Sequence, residues 1–217
     1  MRKIALVALC ACFAGLTHLC SGADFQVLDE RYTQAENQYK IALSKIESVL
    51  EKTKATKSRA DEAKSKAIVA AKKAIAKNKE ANQKADTEVS TSENAKAKEG
   101  EYMAATFKVM EISDDAKSAA SKASAELNKA KSIKSKVDNA RSRVKPATNP
   151  AENASNGSEG INTVALSKFE TAVKEYEVVV KSALEKVSVF ENLVNDYEIA
   201  VKEYEEVAKQ YEEAVQK

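Results

Sequence analysis

The chain has no tryptophan, three cysteines and one histidine, and Cys10, Cys12, His18 and Cys20 all stand before Ser21. From Asp24 onward there is no thiol, imidazole or indole. That removes the nucleophiles, general bases and soft metal ligands on which Cys–His and Ser–His catalysis and zinc sites depend. It removes disulfides too, so an exported domain of this sequence must be held by packing alone. Glycine (five) and proline (two) are also scarce. No glycine-rich phosphate loop and no acidic calcium loop with its central glycine can be found. The carboxylates stand among lysines at helix-surface spacing, the pattern of salt-bridged solvated faces rather than of a general acid/base pair. These absences predict a protein that is not an enzyme, with no catalytic residue, metal or cofactor.

What is present begins with a leader. Arg2 and Lys3 precede an apolar run from Ile4 to Leu16, and Ser21-Gly22-Ala23 offers small residues for cleavage. Residues 1–23 therefore read as a signal peptide, and the expected location is secreted or at an extracellular surface. A membrane span would need a longer apolar run than one that ends in Thr17 and His18. A lipoprotein reading of Leu9-Cys10-Ala11-Cys12 would leave an apolar tail beyond the lipidated cysteine.

The remainder is built on a seven-residue repeat. Phe169, Tyr176, Ala183, Phe190, Tyr197, Tyr204 and Tyr211 form one column, and Val173, Val180, Val187, Val194, Val201, Ala208 and Val215 a second. Alternating steps of four and three put both columns on one seam of a helix. Ala172, Val179, Leu193, Ala200, Val207 and Ala214, interrupted by Lys186, widen the seam into a face that meets two partners. A similar column runs Phe25, Tyr32, Tyr39, Ile46, Thr53, Ala60, Ala67, Ala74, Ala81, flanked by Leu28, Ala35, Ala42, Val49, Ala63 and Ala70, with Leu43, Leu50 and Ala71 beside them. A third runs Tyr102, Val109, Ala116, Ala123, Ala130, Val137, Val144, with Ala105, Ile112, Ala119, Ile133 and Ala140 alongside. Alanine favours helix but buries little area, so the first two helices rely on propensity and close approach.

The polar run Ser90-Thr91-Ser92-Glu93-Asn94 predicts a turn near 86–94, with Ser90 and Glu93 at capping-box spacing and a new helix from about Thr91. Ser113-Asp114-Asp115 could restart or kink that helix. Residues 146–160 hold Pro146, Pro150, Gly157 and Gly160 and read as a linker. Two sequons make Asn153 and Asn156 candidate glycosylation sites. The predicted organisation is an Ala-rich helical hairpin over 24–145, the linker, and a heptad helix over 161–217 that docks on the hairpin.

Charge favours that docking. Residues 25–92 and 93–145 each carry a net +4, and residues 161–217 a net −5, so opposite-sign flanks border the apolar seams. The bulky Tyr and Phe of the third helix can fill space that facing alanines leave open, with each Tyr hydroxyl at the wet edge of the seam. At about 1.5 Å per residue the segments span roughly 100, 80 and 85 Å. The expected fold class is all-α, an elongated antiparallel three-helix bundle or coiled coil. The same seams could also be met by a second copy, giving a homo-oligomer.

Two features exceed what a core requires. Met103, Phe107 and Met110 form a second apolar stripe, a candidate partner patch because flexible Met suits adaptable surfaces. From Lys117 to Lys145 there are nine Lys/Arg against Glu126 and Asp138. Lys117, Lys122, Lys129, Lys131, Lys134, Lys136, Arg141 and Arg143 form the candidate basic face, able to attract acidic glycans or phospholipid. No aromatic residue interleaves with them, which argues against nucleic acid.

The cysteine-free mature chain, the leader and the Ala-x-x-Ala heptads among Lys and Glu over about 25–145 resemble the alanine-rich surface proteins of trypanosomes, in particular the glutamate/alanine-rich coat proteins of their insect stages. Alanine-heptad merozoite surface proteins of malaria parasites are a second resemblance, without the long acidic region expected there. The first resemblance implies long antiparallel helices, a place in a parasite surface coat and a C-terminal lipid anchor. The sequence ends Tyr211-Glu-Glu-Ala-Val-Gln-Lys217 with no apolar tail, so a soluble secreted form or a truncated sequence is expected and membrane contact is left open. The functional expectation is a non-enzymatic exported helical rod in a cell-surface coat, adhesion or host interaction, with a protein or glycan partner. The alternative is an exchangeable lipid-binding bundle similar to apolipophorins.

Overall fold

The computed structural model describes the backbone of residues 2–83, 89–144 and 163–216, with side chains described over 24–76, 96–144 and 163–215. Within these residues the chain is all helical: α1 (Arg2–Gln83), α2 (Val89–Val144) and α3 (Thr163–Gln216) pack against one another. Residues 145–162, which include the linker at 146–160 with Asn153 and Asn156, lie outside the described residues, as do the side chains of the leader. Among the described residues α2 extends to Val144. Its last turn carries Arg141 and Arg143, which complement the negative end of the helix dipole.

Two local expectations are corrected. α2 is already helical at Val89, two residues ahead of the expected Thr91, and runs through Ser113-Asp114-Asp115 without a restart, while residues 86–88 of the expected turn lie outside the described residues. Ser, Thr and Asp lose only a few tenths of a kcal/mol each against better helix formers. The packing of a continuous heptad face outweighs that loss.

The chain divides into two compact units, Met1–Leu43 with Ser124–Glu185 and Ser44–Ala123 with Lys186–Lys217. In the first, Arg31 of α1 donates two hydrogen bonds to Glu177 of α3. Phe25 lies against Phe169 and Tyr32 against Tyr176, so α1 and α3 run parallel. Asp29 and Glu36 of α1 pair with Arg141 and Lys134 of α2, so α1 and α2 run antiparallel. In the second, Lys45, Lys52 and Arg59 of α1 pair with Glu191, Glu198 and Glu205 of α3. Lys98 and Lys108 of α2 reach Gln210 and Glu203. Both units thus show the up, down, up arrangement, stitched by the opposite-sign flanks that the net charges imply.

The core follows the two α3 columns, all fourteen members of which are buried. In the first unit the rings of α3 meet rings of α1; in the second, Tyr197 and Tyr204 pack on Ala60 and Ala63, and Tyr211 on Ala70. Large residues on α3 therefore compensate for small ones on α1. Each buried Val, Phe or Tyr adds on the order of 1.5–3 kcal/mol. The seams expected to seek partners are thus covered within one chain.

Candidate functional site

The Met103, Phe107 and Met110 stripe faces solvent. These side chains are 47%, 64% and 55% exposed, while Val109 between them is buried in the core. Steps of four and three place the three on one side of α2. Beside them, in the second unit, α1 and α2 enclose a shallow cleft of about 160 Å³ over Tyr197 and Tyr204, with Met110 and Ser113 on one wall and Asp61 and Lys64 on the other. Asp114 and Lys117 also border it, joined to each other at 2.7 Å. The surround of Met110 is polar and of mixed sign.

The candidate basic residues do not form one face. Lys122, Lys129 and Lys131 are exposed, and Lys117 is tied to Asp114. Lys134 and Arg141 turn toward α1 instead. Lys134 Nζ donates to Tyr32 Oη at 2.9 Å and contacts Asp138 at 2.9 Å and Glu36 at 3.4 Å. Arg141 donates to Asp29 at 2.8 Å, and both cations lie over the Tyr32 ring. Tyr32 itself donates to Asp138. Burial pushes the Tyr32 phenol up, reinforced by the Asp138 carboxylate. Burial also opposes ionisation of Asp138, but its bonds from Tyr32 and Lys134 win and hold it below the ordinary carboxylate range. Lys136 and Arg143 point elsewhere, into a groove between α2 and α3 that also contains Lys168.

The polar cluster around Tyr32 was not singled out from sequence. Its signal was there: Asp29 and Glu36 are one heptad apart on α1, as are Lys134 and Arg141 on α2, all beside the apolar seam. Flank positions with opposite charge on two antiparallel helices are where such pairs form. The expectation that each tyrosine hydroxyl sits at a wet edge is corrected here. The Tyr176 hydroxyl lies inside rather than at a wet edge, without a hydrogen-bond partner among the described residues. The Tyr102 and Tyr204 hydroxyls bond to each other at 2.5 Å beneath stacked rings. Lys134 and Arg141 find their carboxylates on α1 and α2, not on acidic α3, because α2 presents that edge to α1.

Among the described residues no group of His, Cys, Asp and Glu could hold a metal ion, and no helix is long and apolar enough to cross a membrane. What the arrangement offers is contact chemistry: an exposed apolar stripe and a cationic groove. No protein-family model, curated protein or solved structure matches this chain.

Proposed function

We propose that this chain is a non-enzymatic, exported helical protein that acts by contact, in a cell-surface coat, adhesion or host interaction, and that the Met103, Phe107 and Met110 face of α2 meets a protein partner. The observation that carries this reading is the exposure of three large, flexible or aromatic side chains on one side of a helix whose core seam is already covered. Apolar surface of this kind is costly to leave in water and suits an adaptable contact. The cleft beside Met110 carries both signs, with Asp61 and Asp114 among Lys57, Lys64 and Lys117, which offers a protein partner polar contacts around an apolar centre. Export is supported by the leader sequence at 1–23.

Two measurements test this. In cells expressing the full chain, a membrane-impermeant label should reach the protein, and mass spectrometry should find its N-terminus just after Gly22 or Ala23. An unprocessed, unlabelled chain rules out the exported role. A photo-crosslinking amino acid in place of Phe107 should then give a discrete protein adduct at the cell surface, which the same probe in place of the exposed Val178 does not. Equal adducts from both positions would show that the stripe is not the contact.

A further inference from the structure

The flank positions of this bundle generally set a cation against a carboxylate. Along α1 and α3 the pairs are Arg31–Glu177, Lys45–Glu191, Lys52–Glu198 and Arg59–Glu205. Between α2 and α3 one such pair forms at Lys108–Glu203, while the same register sets Asp115 at the level of Asp196. Five heptads along α2 from Lys108 stands Arg143, and five heptads back along α3 from Glu203 stands Lys168. Here the equivalent flank positions hold two cations.

Arg143 and Lys168 line a groove of about 500 Å³ between α2 and α3, together with Lys136, Asn139 and Val164. Among the described residues no carboxylate lines it. Lys136, Arg143 and Lys168 are exposed, and none has an ion pair among the described residues. Three neighbouring acids are engaged elsewhere. Glu170 holds Lys174 at 2.6 Å, Glu177 holds Arg31, and Asp138 is bound by Tyr32 and Lys134. Glu175, one heptad beyond Lys168, stands outside the lining. The groove therefore keeps its positive charge, with the Asn139 amide as a further donor.

Like charges set together across a concave site gain most from an anion that lies between them, because a recessed site focuses the field of its walls. The cations also continue as a track: Lys129, Lys136 and Arg143 repeat every seven residues on α2, about 10 Å apart at the helical rise. A track with one recessed end suits a linear polyanion better than an isolated small ion. We propose that this groove binds a sulfated glycan chain, with Lys136, Arg143 and Lys168 on successive sulfates and Lys129 extending the contact. No aromatic side chain lines the groove, so it lacks the stacking platform that single-stranded nucleic acid uses. A cleft between helices is also poorly shaped for a flat membrane surface. The identity of the ligand rests on the exported reading above, since that is where a sulfated glycan would be met.

The test uses the purified full chain and a size-defined heparin oligosaccharide. Arg143→Gln with Lys168→Gln is compared with Lys73→Gln with Lys131→Gln, two exposed lysines off the track, which removes the same charge outside the groove. The groove pair should weaken binding at least about tenfold and lower the salt slope of the affinity by about two, one for each lost cation. The control pair should change affinity less than about twofold, and circular dichroism should show both variants as helical as the parent. Equal losses in the two double variants would mean a diffuse field and overturn the site, as would no binding by the parent. If an oligonucleotide or phosphatidylserine vesicles bind more tightly than the oligosaccharide, the assigned ligand is wrong. If inorganic sulfate competes as well as the oligosaccharide at equal sulfate concentration, no chain is being recognised. All of these are read on isolated protein, so their failure leaves export, judged by surface labelling, untouched.

Discussion

The rings of Tyr32 and Tyr176 lie 5.8 Å apart in the first unit, yet only one of their hydroxyls is satisfied. Tyr32 donates to Asp138 and accepts from Lys134, whereas the Tyr176 hydroxyl is buried without a hydrogen-bond partner among the described residues. Hydrogen bonds to charged groups are worth about 1.5–3 kcal/mol, and an unsatisfied buried polar atom costs a comparable amount. Tyr32→Phe should therefore destabilise by about that much, while Tyr176→Phe should be neutral or stabilise by about 1 kcal/mol. Each kcal/mol moves the melting temperature by about 2–4 °C in a chain of this size. If the two variants fall equally, the Tyr176 hydroxyl has a partner that this geometry does not provide.

The α1–α3 flank pairs lend themselves to a double-mutant cycle. Arg59 donates to both carboxylate oxygens of Glu205, at 3.0 and 2.5 Å, in a partly exposed setting. Pairs of this exposure are worth about 0.2–1 kcal/mol, with bidentate geometry favouring the upper end. Arg59→Glu should destabilise, and adding Glu205→Arg should restore most of the loss, with a coupling that shrinks in high salt. A coupling of zero at low salt would show that these contacts do not contribute to docking α3.

Sequence disclosed the core more fully than it disclosed the surface, and particular residues show why. Every member of the two α3 columns is buried because heptad position alone decides which side of a long helix faces its neighbours. Thr56 interrupts the alanine column of α1 yet is 3% exposed. Its hydroxyl donates to the Lys52 carbonyl at 2.9 Å, so the helix itself satisfies the polar atom. Leu127 is buried on the α1-facing flank of α2, outside the main columns, and Leu50, expected beside the core, is 37% exposed. Flank burial depends on which helix is opposite, which no single-helix pattern contains. For the same reason the exposure of Phe107 and the facing of Arg143 by Lys168 needed three dimensions.

Titration should unfold this chain from both sides. The Asp138 carboxyl is held below its ordinary range, so its contribution is present above the unfolded value near about 4 and is lost as pH falls through the lower folded value. Tyr32, Tyr176 and Tyr204 are pushed up, by burial first in each case. Their contribution is complete below the unfolded value of about 10 and is lost as pH rises through the folded values. Helicity should be flat between about pH 5 and 9, and tyrosinate absorbance should rise together with helix loss in alkali. Normal tyrosinate titration of a still-helical chain would place these rings outside the core.

Gly100 is the single glycine of α2, with nothing within 4 Å of where a Cβ would stand. Glycine costs a helix interior about 0.8–1 kcal/mol relative to alanine. Gly100→Ala should raise stability by about 0.5–1 kcal/mol without altering the fold. Thermal melts measure this directly, and a loss of stability would reveal a close neighbour at that position.

The exposed stripe makes the sharpest contrast on one helix. Phe107 and Met110 are more than half exposed, and Val109, between them in sequence, is buried against Ala60, Tyr197 and Val201. Serine at the two exposed positions changes little, since Ser and Phe have similar helix propensity and surface changes usually stay within about 0.5 kcal/mol. Serine at Val109 instead removes apolar contact and buries a hydroxyl, which costs about 1–3 kcal/mol on protein scales even before the cavity is counted. The double change Phe107→Ser with Met110→Ser should therefore melt within about 3 °C of the parent. Val109→Ser alone should melt several degrees lower, and at the cell surface the double variant should lose its partner while keeping its helicity. If the double variant melts as low as Val109→Ser, those side chains are core rather than contact surface, and the stripe ceases to be a candidate site.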